Sequence, residues 1–368
     1  MFMKSKIQLR ILLPIICVFL FILIVAIITM SGVKKDKKLR VGFVMTGTIT
    51  EQGWNKLHYD GIKNACEELD ATLIVKENIK ENEGQCEQAI HELAKENVNV
   101  IILSSYGYAT EVADVTRQYQ DITFYSESFD HGDSGINSYF ARMYQARYLS
   151  GIIAGMQTKT NVIGYVAAMA NSEVNRGISA FTLGVKKVNP DAKVIVAWSN
   201  SWDDAEKEKA LATSLIDEKK VDVITYHQNQ PNVIEIAEQK EIASIGYHEA
   251  IVGASDNVLT SAEFRFGPTY REILLDYNRG KADIVDTYWI GIEQDAVGLT
   301  TYSPKITEDT IALVEDAKQQ IINGYDVFSG IIYDTEHTLR CGEGETISDE
   351  QLLKSFDWYV EGVEFYEE

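Results

Sequence analysis

Ten short runs rich in Val, Ile and aromatic residues recur along this chain, and stretches of helical periodicity lie between most of them. The runs are RVGFVM, TLIVKE, VNVIILS, DITFYSE, NVIGYVAA, KVIVAWS, VDVITYH, IASIGYH, NVLTSAEF and TYWIGIE. Segments such as NKLHYDGIKNACEEL, CEQAIHELAKEN, YQARYLSGIIAGMQ and DAEKEKALATSLIDEKK separate them. Continuous apolar runs, as opposed to alternating ones, belong to strands buried on both faces, and amphipathic helices supply the cover. The pattern therefore predicts an α/β chain built on doubly wound parallel sheets.

The pattern also repeats. VGFV at 41–44 is followed by Gly61-Ile-Lys-Asn and then TLIV, while IGYV at 163–166 is followed by Gly184-Val-Lys-Lys and then VIVAW. Two copies of one strand–helix–strand unit imply two lobes, and if each is Rossmann-like, their switch-point crevices can face one another and enclose a ligand. Lobe 1 is expected over 40–148 with about 264–285 added, and lobe 2 over 149–263 with about 286–368. With only five prolines and no Pro- or Ser-rich linker, several crossings, not one flexible tether, should join them. Near the C-terminus, Ser348 and Gln351 stand at capping-box spacing and should open a helix.

Residues 1–39 stand apart. The run Ile11–Met30 contains 20 residues and no charge, with basic residues on both sides. That length matches a membrane-spanning helix and exceeds a secretory h-region. No clean cleavage site follows, and Cys17 lacks the surroundings of a lipidation site, so an uncleaved anchor is favoured over a removed signal peptide. The soluble body is then extracytoplasmic, held at the cell membrane. Basic charge on both flanks specifies the orientation only weakly.

Eight Lys or Arg against one Asp give the first 40 residues a charge of +7, so the net −21 of the whole chain leaves −28 for the remainder. Phosphate backbones would repel such a body, which argues against nucleic-acid binding. The cysteines, Cys17, Cys66, Cys86 and Cys341, show no CxxC pair. Cys66 and Cys86 read as buried thiols, with a disulfide between them open if the body lies outside the cell.

No GxxxxGK[ST], GxGxxG, GxSxG or HExxH occurs, and the six His residues lack metal-ligand spacing. No cofactor or metal is expected, and nothing marks a catalytic pair. Polar and aromatic residues cluster instead at the carboxyl ends of the predicted strands. Thr46, Thr48, Trp54 and Asn55 follow the first; Ser104, Ser105 and Tyr106 follow VNVIIL; Glu127 follows DITFYS. In the second half Trp198, Asn200, Trp202 and Asp203 follow KVIVAW, His227, Gln228 and Asn229 follow VDVITY, and His248 and Glu249 follow IASIGY. Each alone suits an ordinary loop, but recurrence at strand ends in both halves suggests a ligand site. Aromatic faces from two lobes can hold a planar ring while amides and carboxylates read its edge or a sugar hydroxyl.

With these residues assembled, the chain resembles the basic membrane protein family, the purine nucleoside-binding components of ABC transporters. The resemblance runs from about Arg40 to about Val297 and is carried most specifically by YQARYLSGIIAG and by GVKKVNPDAKVIVAW followed by SWDD. It implies a type I periplasmic-binding fold: two lobes, three hinge crossings and a ligand between. It also implies that Trp54 stacks on the base with Asn55 reading its edge, that Trp202 supplies the second ring, and that Arg142 lies near the base. By the same resemblance His227 and Gln228 line the cleft, and Arg265 falls near a hinge. Where riboside binders carry an acidic residue after GY, this chain reads Gly246-Tyr247-His248-Glu249, so Glu249 is the candidate for sugar hydroxyls, and Trp54 in place of Phe resembles members that take free bases. The implied partners are a purine nucleoside or nucleobase, an ABC permease and, through the N-terminal helix, the membrane. A membrane-anchored sensor with the same domain is the alternative, and a nucleoside hydrolase a more distant one.

Overall fold

The computed structural model describes residues 38–51, 53–127, 135–281 and 287–367. The N-terminal anchor expected at Ile11–Met30 lies outside them. Among the described residues no helix is long and apolar enough to cross a membrane.

From Arg40 to Glu368 the chain is one compact unit. It opens with β1 (Arg40–Val44), α1 (Trp54–Glu68), β2 (Thr72–Lys76), α2 (Gln85–Lys95), β3 (Val100–Leu103), α3 (Tyr108–Thr116), β4 (Thr123–Ser126) and β5 (Asn137–Ala141). It continues with α4 (Met143–Gln157), β6 (Val162–Ala167), α5 (Ser172–Val188), β7 (Lys193–Trp198), α6 (Ala205–Lys219), β8 (Val223–His227), α7 (Asn232–Gln239), β9 (Ala243–His248) and β10 (Val258–Phe264). Then come α8 (Phe266–Asn278), β11 (Thr287–Ile290), β12 (Val297–Leu299), α9 (Glu308–Ile322), a small hairpin β13 (Ile332–Tyr333) and β14 (Leu339–Cys341), α10 (Asp349–Lys354) and β15 (Val363–Phe365).

Two sheets result. The first has the order β11-β5-β4-β3-β1-β2 and the second β12-β10-β9-β8-β6-β7-β15. Neighbouring strands in the two sheets are parallel, except that β12 runs antiparallel to β10. All ten runs expected from the sequence form strands; β5, β12 and β15 in the two sheets, and the hairpin β13–β14, are additions that the Val/Ile pattern did not mark. In both sheets the first five strands of the lobe take the order 2-1-3-4-5, so the internal repeat is structural. That order puts a switch point between the first and third strands of each lobe, where open α/β sheets hold ligands.

The central strands are buried along their length: Val41, Phe43, Val44 and Val100 through Leu103 in the first sheet, Ile163, Tyr165, Val166, Val194 and Val223 in the second. Each such side chain stabilises the fold by about 1.5–3 kcal/mol. Helices α2 and α3 cover one face of the first sheet through Cys86, Ile90, Leu93, Tyr108 and Val112. Cys66, Cys86 and Cys341 are buried free thiols, so no disulfide joins Cys66 to Cys86.

The repeated glycines mark equivalent helix contacts. A Cβ on Gly61 of α1 would lie 2.9 Å from the backbone of Phe266 and Gly267 in α8. One on Gly184 of α5 would drive into the Tyr148 carbonyl of α4, and one on Gly151 into that of Phe181. In each lobe, then, the first helix of the repeat packs backbone to backbone against a helix that has just crossed from the other sheet.

Three crossings join the sheets. Arg142 alone separates β5 from α4, Arg265 alone separates β10 from α8, and residues 291–296 separate β11 from β12. They are bonded to one another, because Arg142 N–H donates to Ile290 O at 2.8 Å and Arg265 N–H to Ala296 O at 2.8 Å. Strand β11 pairs with β5 in the first sheet, and α4 packs on the second lobe. The C-terminal helix α10 carries the expected capping box at Ser348 and Gln351. Beyond it, β15 extends the second sheet beside β7.

Candidate ligand-binding cleft

Trp54 is the first residue of α1, where the chain leaves β1. Gly53 before it has φ 81°, a left-handed value that suits glycine. The Trp54 indole N–H donates to Ser104 O, just beyond β3, at 2.9 Å. This bond spans the switch point of the first sheet and fixes the ring there. His58, one turn along α1, lies with its ring 4.2 Å from that of Trp54, while Phe266 and Phe264 lie at 5.3 and 5.8 Å.

From Trp54 the rings continue into the second lobe. The centroid of His248 lies 6.0 Å from Trp54, Tyr247 is 4.1 Å from His248, His227 is 4.4 Å from Tyr247, and Trp202 is 6.0 Å from His227. The two tryptophans are therefore the ends of one aromatic strip that crosses between the lobes. Direct contact closes the same gap, since Gly53 N–H donates to Glu249 Oε1 at 2.8 Å. A carboxylate there also complements the positive N-terminal end of α1.

His227 occupies the matching switch point of the second sheet. Its Nε2 is 2.9 Å from Tyr247 Oη and 3.4 Å from Glu173 Oε1, in the first turn of α5. Gly177, one turn beyond Glu173, leaves room at this point: a Cβ there would sit 3.5 Å from His227 Nδ1.

Burial sets the charges. It lowers the His227 imidazole, against the pull of Glu173, and pushes His248 down to about 3, with His227 and Arg147 adding to the effect. His58 is lowered well below its usual range, first by burial and then by His248. Glu127, just past β4, is raised well above the usual carboxylate range by burial and by the carboxylates of Glu173 and Glu81, with Arg176 opposing. Burial also works to raise Glu173, but the His227 hydrogen bond together with Arg176 and Arg147 leaves it lowered. At neutral pH the cleft thus presents three neutral imidazoles, with Glu173 ionised beside Arg176 and the Glu127 carboxyl pushed toward its protonated form.

The residues singled out from the sequence divide into four groups. Trp54, Trp202, His227, His248 and Glu249 meet in the strip and its closing contact. Gln228 and Asn55 are buried beside it. Gln228 Nε2 donates to Ser199 Oγ at 2.9 Å, while its Oε1 is buried without a partner. Asn55 Oδ1 accepts from Thr46 Oγ1 and Gly47 N–H, both at 3.1 Å, so it braces its own loop. Arg142 and Arg265 sit at crossings. Arg142 donates to Trp289 O at 2.9 Å, to Tyr144 Oη at 3.1 Å and to Asp349, while Arg265 pairs with Glu263 and Asp295. Tyr106 is 61% exposed and stands apart from the strip.

Glu173, Arg176, Tyr247, Phe264 and Phe266 also surround the strip without a strand-end signal of their own, and Glu127 is marked only by its place after a strand. Glu127 carried the same strand-end signal as His227, but Glu173 and Arg176 lie within a helix, where charged residues read as surface. A separate cavity of about 470 Å³, lined by Ser255, Ser261, Glu263, Arg265 and Thr301 among others, opens beside β10 and β12 and contains none of the strip residues.

Residues 38–329 match the model of the Bmp family, described as ABC transporter substrate-binding protein PnrA-like. A purine-binding protein of Brucella abortus is 31% identical over 342 residues, covering 89% of this chain and 94% of that protein. An ABC transporter protein of Haloferax volcanii, provisionally named as glucose-binding, is 30% identical over 337 residues, covering 91% and 82%. Among solved structures, a transcriptional activator of the comK gene from Bacillus halodurans superposes with a TM-score of 0.68 at 22% identity, covering 78% of this chain and 98% of that one, a likeness of fold. The family match over most of the chain, on two parallel-sheet lobes joined by three crossings, identifies it as a member of the Bmp family of PnrA-like ABC transporter substrate-binding proteins.

Proposed function

We propose that this chain captures a purine base or nucleoside between its lobes, outside the cytoplasm, and presents it to an ABC permease while its N-terminal segment holds it at the membrane. The observation that carries this reading is the aromatic strip from Trp54 to Trp202, whose imidazoles burial keeps uncharged at neutral pH. A purine is flat, neutral and rimmed with both donors and acceptors. Aromatic faces bind its plane, and neutral imidazoles, amides and a carboxylic acid can donate or accept along its edge.

In this reading Trp54 stacks on the ring and Trp202 covers it from the second lobe. Gln228 Oε1, which lacks a partner, accepts from the ligand, and Glu127, whose carboxyl burial pushes toward the protonated form, meets a ring nitrogen. Glu249 closes the lobes over the ligand. Contacts to both lobes exist only in the closed state, so binding shifts the hinge equilibrium toward closure. The purine-binding relative agrees with this ligand class, whereas the relative named for glucose points to a sugar.

Calorimetric titration of the full chain in detergent, unfolded and refolded to remove carried-over ligand, separates them. Adenine, guanine, adenosine, guanosine, inosine, ribose and glucose form the panel. Saturable heat with a purine compound and none with ribose or glucose is expected. Binding of glucose alone would overturn the reading.

A further inference from the structure

The C-terminal segment touches the hinge at two arginines, and both arginines reach the same ring. The Arg142 guanidinium lies 4.1 Å from the centroid of Trp289, and that of Arg176 lies 5.4 Å from it. Trp289 belongs to β11 in the first sheet, Arg176 belongs to α5 in the second lobe, and Arg142 is the first crossing itself. Each arginine is in turn held by α10. Arg142 Nη1 donates to Asp349 Oδ1 at 2.9 Å and its Nη2 to Asp349 Oδ2, a two-pronged pair, while Arg176 Nη1 donates to Leu352 O at 3.1 Å.

Helix α10 is itself anchored on the second lobe. The side chains of Leu352 and Phe356 are buried, Asn175 Nδ2 donates to Phe356 O at 3.1 Å, and Tyr359 Oη donates to Asn175 Oδ1 at 2.7 Å. A rotation of one lobe against the other moves Trp289 relative to α10, and the two arginines span that joint. The planar fork of Arg142 ties Trp289 O through Nε and Asp349 through both Nη atoms, a geometry that a lysine cannot reproduce. Guanidinium groups over an indole face are held by the ring's quadrupole, the more so where water is excluded, as around Arg176.

We propose that α10 is a clasp on the hinge: by holding Arg142 and Arg176 against Trp289 it stabilises the closed arrangement of the lobes, so that Asp349 sets how tightly the cleft retains its ligand. The clasp belongs to the structure in which Gly53 and Glu249 meet across the cleft, and this fixes the sign: loosening it favours opening. The effect on affinity rests on the ligand-capture reading above, whereas the effect on opening does not.

Two readouts on the full chain test it. Hydrogen–deuterium exchange of peptides carrying Gly53, without ligand, reports opening through loss of its bond to Glu249. Calorimetry with adenine, guanine, adenosine, guanosine and inosine reports retention. The variants are Asp349→Asn, which leaves the Ser348–Gln351 capping box in place and removes the charge, and Arg142→Lys, which keeps the charge and loses the fork. Glu350→Ala is the control, because it removes a charge from the same exposed helical turn but has no contact with Arg142.

Asp349→Asn and Arg142→Lys should speed exchange at Gly53 and weaken the tightest of these probes by about three- to tenfold, while Glu350→Ala changes neither. Unchanged exchange in both arginine-pair variants, or an equal rise in Glu350→Ala, would overturn the clasp. If none of the probes binds the wild type, the purine reading fails and exchange alone decides whether the clasp exists.

Discussion

Gly53 and Glu249, 196 positions apart, meet in a hydrogen bond of 2.8 Å between a backbone N–H at the head of α1 and a carboxylate beyond β9. The donor is one of the unsatisfied amides that every helix N-terminus exposes, and the acceptor comes from the other lobe. Closure thus completes the cap of α1.

Glu249→Gln should retain the fold and weaken ligand binding by about 1–2 kcal/mol, because a neutral amide replaces a charge-assisted acceptor at a helix N-terminus. Calorimetry measures the affinity, and an unchanged melting temperature shows that the loss comes from closure.

Trp54→Ala should reduce affinity by about 1–3 kcal/mol, the range for an aromatic ring stacked on a base. Trp54→Phe should recover most of this, since it keeps a ring and gives up the bond to Ser104 O. Equal affinities for all three proteins would assign Trp54 to packing alone.

Gly184→Ala should destabilise the fold by about 3 kcal/mol, because its Cβ has no space between α5 and the Tyr148 carbonyl. Gly177→Ala, on the same helix, meets only an ordinary contact with His227 and should stabilise slightly, by up to about 1 kcal/mol. Urea denaturation of both variants measures the contrast.

Acid should destabilise the protein through its buried imidazoles. His248 titrates near 3 when folded and near 6.5 when unfolded, so between these values the unfolded chain binds the extra proton and stability falls as pH drops. At pH 5 this residue alone costs about 2 kcal/mol relative to pH 7. His58 acts in the same direction, while Glu127, raised in the folded state, opposes both by favouring the fold as pH falls toward 4.5. Asn also tolerates the left-handed backbone of residue 248, at φ 72°. His248→Asn should therefore lose about 2 kcal/mol less than wild type between pH 7 and pH 5 in parallel urea titrations.

The layered architecture was legible because strands buried on both faces have to be continuously apolar, and RVGFV, VIIL and VITYH are. Strand β5, reading Asn-Ser-Tyr-Phe-Ala, escaped notice because its polar start resembles a loop, and β15 pairs late through Val-Glu-Phe without a run of its own. Position after a strand was enough to find Trp54, His227 and His248. It could not separate the exposed Tyr106 from the buried Glu127, since burial depends on what the opposite lobe brings. Arg142 and Arg265 were picked out through resemblance to a family; that they occupy single-residue crossings follows only from sheet membership. Glu173 and Arg176 lie within a helix, where charge alone does not separate surface from interior; Glu173 finds His227, and Arg176 finds Leu352 O and the Trp289 ring, only in the folded chain.

The two halves of the chain share a strand order, and Gly61 answers to Gly184. Seven residues before each of these stand Trp54 and Gly177. One copy of the unit carries the largest side chain here, at the head of α1, and the other carries none, a turn inside α5, which is where His227 finds its space. The halves have diverged in complementary ways: one sets a ring at the start of the strip, and the other leaves space for a ring within it. Divergence at equivalent positions of the helices thus leaves the sheets that both halves share as they were.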